Sequence, residues 1–481
     1  MTALIDTGAR TFIGGEFRDA AEVQPVLEAA TGALLGNGSA ATESELDDAV
    51  AAARAALDGW RATPAGERAA VLVRMADALV GRAASTNELC TRENGMPIRL
   101  SRGANGAFPA VLLRYYADLI DRTDVEEIRP AMIGHTIVRR EPVGVVAAIT
   151  PWNYPQALAA MKIAPAVAAG CTLVLKAAPE TALDAMIFGE AARDAGLPPG
   201  VLNIVAGGPA TGAQLVQHRG VDKVAFTGST AAGRLIAEVC GRLMRPVTLE
   251  LGGKSAAIIL DDADLDATVR GLRNASFVNN GQTCHLSSRI LAPRSRYAEV
   301  VDAVAALAEG LTVGDPLEKA TDVGPLVSAR QRERVLNYID VGKAEGAKLV
   351  AGGSVPPDQP HGWFVSPTVF ADVDNSSRIA QEEIFGPVLA VIPYGTDQEA
   401  IDIANDSEFG LGGTVWSTDT ERATDIAREV RTGTIGVNDY ALDIQAPFGG
   451  VKASGMGREL GPEGLAAYQV LKSIYRVGPA Q

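Results

Sequence analysis

From residue 143 to residue 240 the chain alternates short apolar runs with helix-length segments, and this rhythm limits its fold more than any other feature. Residues 143–149, 173–175, 201–205 and 223–226 read as strands, and 155–169, 181–195, 211–217 and 230–240 as the helices between them. Strands that are apolar throughout and joined by helices form a parallel sheet covered on both faces. A second alternating set runs from 255 to about 433, with a strand at 256–260 and helices at 263–279, 297–309 and 329–345. At 481 residues the chain exceeds one ordinary core. The fold expected is α/β, with two doubly wound domains.

The flanks read differently. Residues 1–20 suggest a hairpin around Gly14-Gly15. Thr42 with Glu45 is a capping-box signature ahead of Leu46, Ala49, Val50 and Ala53 on one helix face. A second helix spans 64–84, with more helix to about 120. Residues 125–146 read as two strands around Gly134, a protruding β-hairpin whose free edge favours oligomerisation. Residues 467–477 read as a strand, and 352–360 as a surface loop.

Net charge is −15 and pI about 4.9, which argues against a nucleic-acid partner or an anionic membrane surface. The longest apolar region, 155–175, is broken by Lys162, Pro165 and Gly170, so no membrane span is expected. Residues 1–10 lack a leader's apolar core. Cys90, Cys171, Cys240 and Cys284 lie far apart and suggest reduced thiols in a cytoplasmic setting. The four histidines have no metal-ligand spacing, and no metal is expected.

Cys284 is the one cysteine in a short polar turn, Asn279-Asn280-Gly281-Gln282-Thr283-Cys284. It is either a small buried hydrophobe or a thiolate nucleophile. Phe226-Thr227-Gly228-Ser229-Thr230 ends a strand and opens a helix, so it is either a tight connection or a pyrophosphate site. Lys176 ends another strand and points to the crevice where α/β sheets bind ligands, or is a surface lysine. Glu250 stands inside the apolar run Thr248-Leu249-Glu250-Leu251, followed by Gly252-Gly253. Burial would raise its pKa and suit a general base; the alternative is a carboxylate holding turn amides. In Thr150-Pro151-Trp152-Asn153-Tyr154-Pro155, Asn153 is an oxyanion donor or a helix cap, and Trp152 a flat apolar wall.

Together these strings resemble the NAD(P)-dependent aldehyde dehydrogenase superfamily, from Phe12 to about Val477. Two further stretches support this: Glu382-Glu383-Ile384-Phe385-Gly386-Pro387, and Pro447-Phe448-Gly449-Gly450 running on to Ser454-Gly455, Gly457 and Arg458-Glu459. The resemblance implies that Cys284 attacks an aldehyde. Asn153 and the Cys284 N–H hold the oxyanion, Glu250 activates water to hydrolyse the thioester, and Lys162 supports the site. It implies a cofactor site of Ile149, Trp152, Lys176, Gly228, Ser229, Gly233, Leu251, Glu383 and Phe385. It also implies an acyl channel of Tyr154, Ala157, Met161, Val278, Thr283, His285 and Phe448, suited to an apolar or aromatic aldehyde. His285 would be a polar wall or a structural histidine. By resemblance, 1–121 and 143–250 form a Rossmann-like cofactor-binding domain and 251–450 the catalytic domain. Residues 451–466 return to the cofactor domain, while 122–142 and 467–477 form an oligomerisation arm, strand 467–477 pairing across subunits in a homodimer or homotetramer. One departure stands out: Pro179 occupies the position three after Lys176 where the family commonly has Glu, leaving Glu180 to take its part. NAD is preferred over NADP, with NADP left open. The rivals are a CoA-acylating semialdehyde dehydrogenase, a cofactor-free cysteine hydrolase and a non-catalytic protein on the same fold.

Overall fold

Residues 145–250 build the centre of an eight-stranded sheet in the computed structural model, which describes residues 8–478. Five parallel strands lie in the order Val247–Glu250, Lys223–Thr227, Val145–Ile149, Thr172–Ala177, Leu202–Ala206. Their residues are almost all buried, as expected of strands covered on both faces. The N-terminal hairpin, Arg10–Ile13 and Glu16–Asp19, adds antiparallel strands at one edge, and Gly455–Met456 closes the other. The Thr42 capping box opens the helix Glu43–Ala62. The next helix, Ala65–Asn94, runs past the expected end at 84 and stops at Gly95 (φ 79°).

A second sheet of seven strands is parallel except at the edge strand Lys348–Ala351. Its centre is Ser287–Pro293, flanked by Val388–Tyr394 and Ser255–Ile259, and Gly413–Trp416 lies beyond the latter. The chain leaves the first sheet at the C-terminal end of Val247–Glu250 and enters the second at the N-terminal end of Ser255–Ile259. The two sheets therefore meet end to end, and the loops between them carry the motifs.

Three expectations need correction. The helix expected over 181–195 is regular only over Met186–Asp194, because a 3₁₀ turn, Pro179–Thr181, and further turns precede it. A two-stranded sheet, Val23–Leu27 with Leu34–Ser39, was not foreseen; its alternation is interrupted by Pro25, Gly36 and Gly38. The strand Gln469–Arg476 does not reach another subunit for its partner. It pairs antiparallel with His135–Pro142 of its own chain, which pairs in turn with Glu126–Pro130. The fold accounts for this directly, since Tyr468 O accepts from Val143 N at 2.9 Å and delivers the strand to the arm. Most of the leader-free stretch inferred at 1–10 lies outside the described residues. Among the described residues no helix is long and apolar enough to cross a membrane, and no cluster of His, Cys, Asp or Glu could hold a metal.

Candidate active site

In the first sheet the chain winds one way from Val145–Ile149 and then crosses back to Lys223–Thr227 beside it. The C-terminal ends of these two strands make the crevice where α/β sheets place ligands. Ile149, Trp152, Gly228 and Ser229 lie there. Gly228 is held close to its strand: its N–H donates to Glu250 O at 3.0 Å, and an added Cβ would strike the Phe226 ring. Ser229 caps the helix Thr230–Arg242 by accepting from Ala232 N. The Thr230 and Ala231 N–H groups, in the first turn of this helix, have no acceptor. Gly233 lets Leu251 pack against the helix. Lys176 is buried and donates from Nζ to Gly207 O at 2.7 Å; burial lowers its pKa to about 8, opposed by Glu180.

The oxyanion-donor candidate sits in the loop after Ile149. Asn153 is 4% exposed, and its Nδ2 donates to Gln282 O at 3.0 Å. Two unforeseen side chains clamp its backbone. Asn94 Nδ2 donates to the carbonyls of Trp152 (3.2 Å) and Asn153 (3.3 Å), and Asn279 Nδ2 to Asn153 O (2.9 Å). Tyr154 shares a 2.9 Å hydrogen bond with Thr283 Oγ1.

The loop carrying Cys284 begins where the helix Leu265–Phe277 ends, two residues short of the expected 279. Asn279 (φ 54°) and Asn280 (φ 60°) are left-handed and cannot continue a helix. Buried hydrogen bonds hold this strained turn: Asn280 Nδ2 donates to Gly95 O and Pro325 O, and Val327 N to Gln282 Oε1. Gly281 and Gly253 are required by close approach, since a Cβ at either would strike backbone at Gly386 or Cys284. Cys284 is half-buried. Burial pushes its thiol well up, and the Glu383 and Glu250 carboxyls push the same way, against the N–H groups of Cys284 and His285.

Glu250 is 2% exposed, and neither carboxyl oxygen has a hydrogen-bond partner. Burial and the neighbouring Glu459 hold its pKa well above the carboxylate range; Lys162 and Arg458 oppose them. Lys162 is completely buried and donates to Thr227 Oγ1 (2.6 Å) and Glu459 Oε1 (2.8 Å). Sequence reasoning gave Glu459 no role, although its string was noticed; only the fold brings it to Lys162. Gly449 (φ 152°) lies under the Glu250 carboxyl, where a Cβ would stand 2.6 Å from Oε1. Gly449→Ala is expected to cost about 1–3 kcal/mol of stability and to slow the Glu250-dependent step; wild-type melting and turnover would disprove it.

Glu383 accepts from Gly253 N at 3.1 Å, and its pKa rises to about 7, chiefly through burial. Phe385 (φ 63°) meets Trp152 edge to face, ring centroids 5.4 Å apart. In the inferred channel, Met161 lies in the core against which Cys284 packs and to which Phe448 belongs. Ala157 is buried on the same helix, and Val278 is half-buried at the loop's start. His285 stacks on Tyr440, a residue without any sequence signal, at 4.4 Å and 12°. No histidine nitrogen among the described residues hydrogen-bonds the Cys284 thiol.

Comparison with known proteins gives the class. Residues 17–474 match a model of the aldehyde dehydrogenase family. Over 472 residues the chain is 54% identical to geranial dehydrogenase of Castellaniella defragrans, covering 97% of this chain and 98% of that protein. An aldehyde dehydrogenase of Mycobacterium tuberculosis complexed with NAD+ aligns with TM-score 0.96 at 47% identity, over 98% and 99% of the two chains. A mutant aldehyde dehydrogenase C of Pseudomonas syringae, complexed with NAD+ and octanal, aligns with TM-score 0.94 at 39% identity, over 97% and 96%. The chain belongs to the aldehyde dehydrogenase family, and its enzyme class is that of the NAD(P)-dependent aldehyde dehydrogenases.

Proposed function

We propose that this enzyme oxidises a medium-to-large apolar aldehyde to its carboxylic acid through a covalent adduct on Cys284, hydrolysed by water that Glu250 activates. The observation that carries this reading is the Glu250 carboxyl: buried, unpaired, and near enough to Cys284 to raise its thiol. Cys284 Sγ attacks the carbonyl carbon. The second N–H of Asn153 Nδ2 and the Cys284 backbone N–H receive the oxyanion. Glu250 then takes a proton from water as it attacks the thioester, and the Cys284 thiol leaves. Lys162 holds Glu459 beside the base. Asn153→Ala is expected to slow the first-turnover NADH burst by about 10²-fold, the worth of one oxyanion donor. An unchanged burst rate would remove Asn153 from that role.

The residues present fit a dinucleotide. The unpaired N–H groups of Thr230 and Ala231, with Gly228 and Ser229, suit a pyrophosphate. Lys176 and Glu383 suit the two riboses, and Ile149, Trp152, Gly233, Leu251 and Phe385 shape the walls. Bound NAD supplies hydride acceptance and a positive charge that favours the thiolate. Glu180 beside Lys176 favours NAD over NADP, because a carboxylate repels a 2′-phosphate. The NAD+ complexes of both solved relatives support the same choice.

No channel residue is charged, since burial lowers the His285 pKa to about 4. The relative that acts on geranial and the one bound to octanal fit such a channel. An aldehyde panel run with NAD and NADP in parallel tests this: hexanal and benzaldehyde should outrun succinate semialdehyde, and NAD should outrun NADP. Much faster turnover of the semialdehyde would overturn the substrate class. Acid formation without CoA would separate this enzyme from the CoA-acylating rival.

The domain roles inferred above follow the two sheets, with the base on the first and the nucleophile on the second. The three-stranded arm exposes apolar side chains, Leu471 and Tyr475 on one face, Ile128 and Ile474 on the other, and Met132 and Ile133 at its turn. A second copy of the chain would cover it, giving a homodimer or homotetramer. Four free cysteines fit a reducing, cytoplasmic setting.

A further inference from the structure

We infer that the stacked pair His285–Tyr440 is the specificity determinant that selects aldehydes conjugated next to the carbonyl over saturated aldehydes of equal length. The inference rests on the reading of Cys284 as nucleophile. His285 follows Cys284 directly, and its ring meets Phe448, which belongs to the core against which Cys284 packs. Tyr440 covers one face of the imidazole nearly in parallel, and Phe448 meets it edge-on at 6.3 Å and 81°.

The pair is fixed in place. Tyr440 Oη is hydrogen-bonded to Thr434 Oγ1 at 2.7 Å, and Thr434 Oγ1 donates to Leu411 O at 2.8 Å. Gly412 packs against the pair, where a Cβ would lie 3.2 Å from His285 Cβ and 3.3 Å from Tyr440 Cε2. Through this stack Tyr440 sits against the residue that follows Cys284.

His285 makes no hydrogen bond through either ring nitrogen. The half-buried ring is held by stacking and not by a hydrogen bond. What remains is a flat, neutral, polarisable surface held rigid by its neighbours. A C=C–C=O unit is planar and conjugated, and can stack on such a surface in the offset geometry that π systems prefer. A saturated chain has tetrahedral carbons at the same positions and gains only scattered contacts.

The test compares kcat/KM for trans-2-octenal and octanal in the NAD-supplied full-length enzyme and in H285L and H285F. The ratio within one preparation does not depend on how much protein is correctly folded. It should fall about fivefold in H285L, the worth of one stacked aromatic contact, and stay within about twofold of wild type in H285F, which restores a flat ring. A wild-type ratio in H285L would overturn the inference, as would an equal fall in H285F, which would assign selection to the ring nitrogens. If the wild-type enzyme reduced NAD with neither aldehyde, the Cys284 dehydrogenase reading itself would fail and take the inference with it.

Discussion

Glu250→Gln is expected to leave a first-turnover burst of NADH while steady-state turnover falls by about 10²–10⁴-fold, the usual contribution of a general base. Acylation needs the Cys284 sulfur and the oxyanion donors, and hydrolysis needs a carboxylate. The raised pKa shifts the onset of hydrolysis: the rate should climb with pH well above 4.5, as Glu250 loses its proton. The same shift fixes the sign of a stability effect. The folded chain binds this proton more tightly than the unfolded one. Stability from the group is therefore complete below the ordinary value of 4.5 and is lost as pH rises through the folded value. The Gln variant should accordingly melt higher than wild type at pH 8, with the gain shrinking toward pH 5. Wild-type steady turnover would remove Glu250 from the mechanism, and a lower melting point at pH 8 would contradict the burial argument.

Lys162→Met should destabilise the fold by about 3–5 kcal/mol, because it strands the Glu459 carboxyl without its cation. The pair is sealed from water, with side chains 0% and 3% exposed. Adding Glu459→Gln should recover most of the loss, since a buried ion pair contributes little net stability when both charges are removed. Urea midpoints of the two single variants and the double variant check this through a double-mutant cycle. Additive losses would show that the pair is not coupled. The single variant should also leave less of Glu250 ionised at neutral pH, because Lys162 opposes the rise in the Glu250 pKa.

Much of this was legible from the sequence because strand periodicity and the strings around Gly228, Glu250 and Cys284 are local features. Pro155–Ala169 was bounded to the residue by a proline at its start and Gly170 at its end. Other features come from long-range contacts and leave no local mark. Asn94 lies 58 residues before the first carbonyl it clamps. Glu459 is 297 residues from Lys162. Tyr440 sits in a stretch with no periodicity and is given meaning only by the ring stacked on it. The helix at 181–195 failed where Pro179 and the turns after it overrode good helix formers. The C-terminal strand was correctly recognised but assigned to the wrong partner, because β propensity does not say which edge a strand will meet.

The order in which the site is completed has a consequence for biosynthesis. Asn153, Glu250 and Cys284 emerge from the ribosome early. The residues that finish the pocket come last: Tyr440, Gly449 under the Glu250 carboxyl, Gly455–Met456 at the edge of the strand bearing Glu250, and Glu459 against Lys162. A nascent chain stalled before residue 440 thus holds Cys284 and Glu250 without the wall, the sheet edge and the counter-charge around them. The pocket should therefore be complete only once residues 440–459 have left the ribosome and folded back onto it.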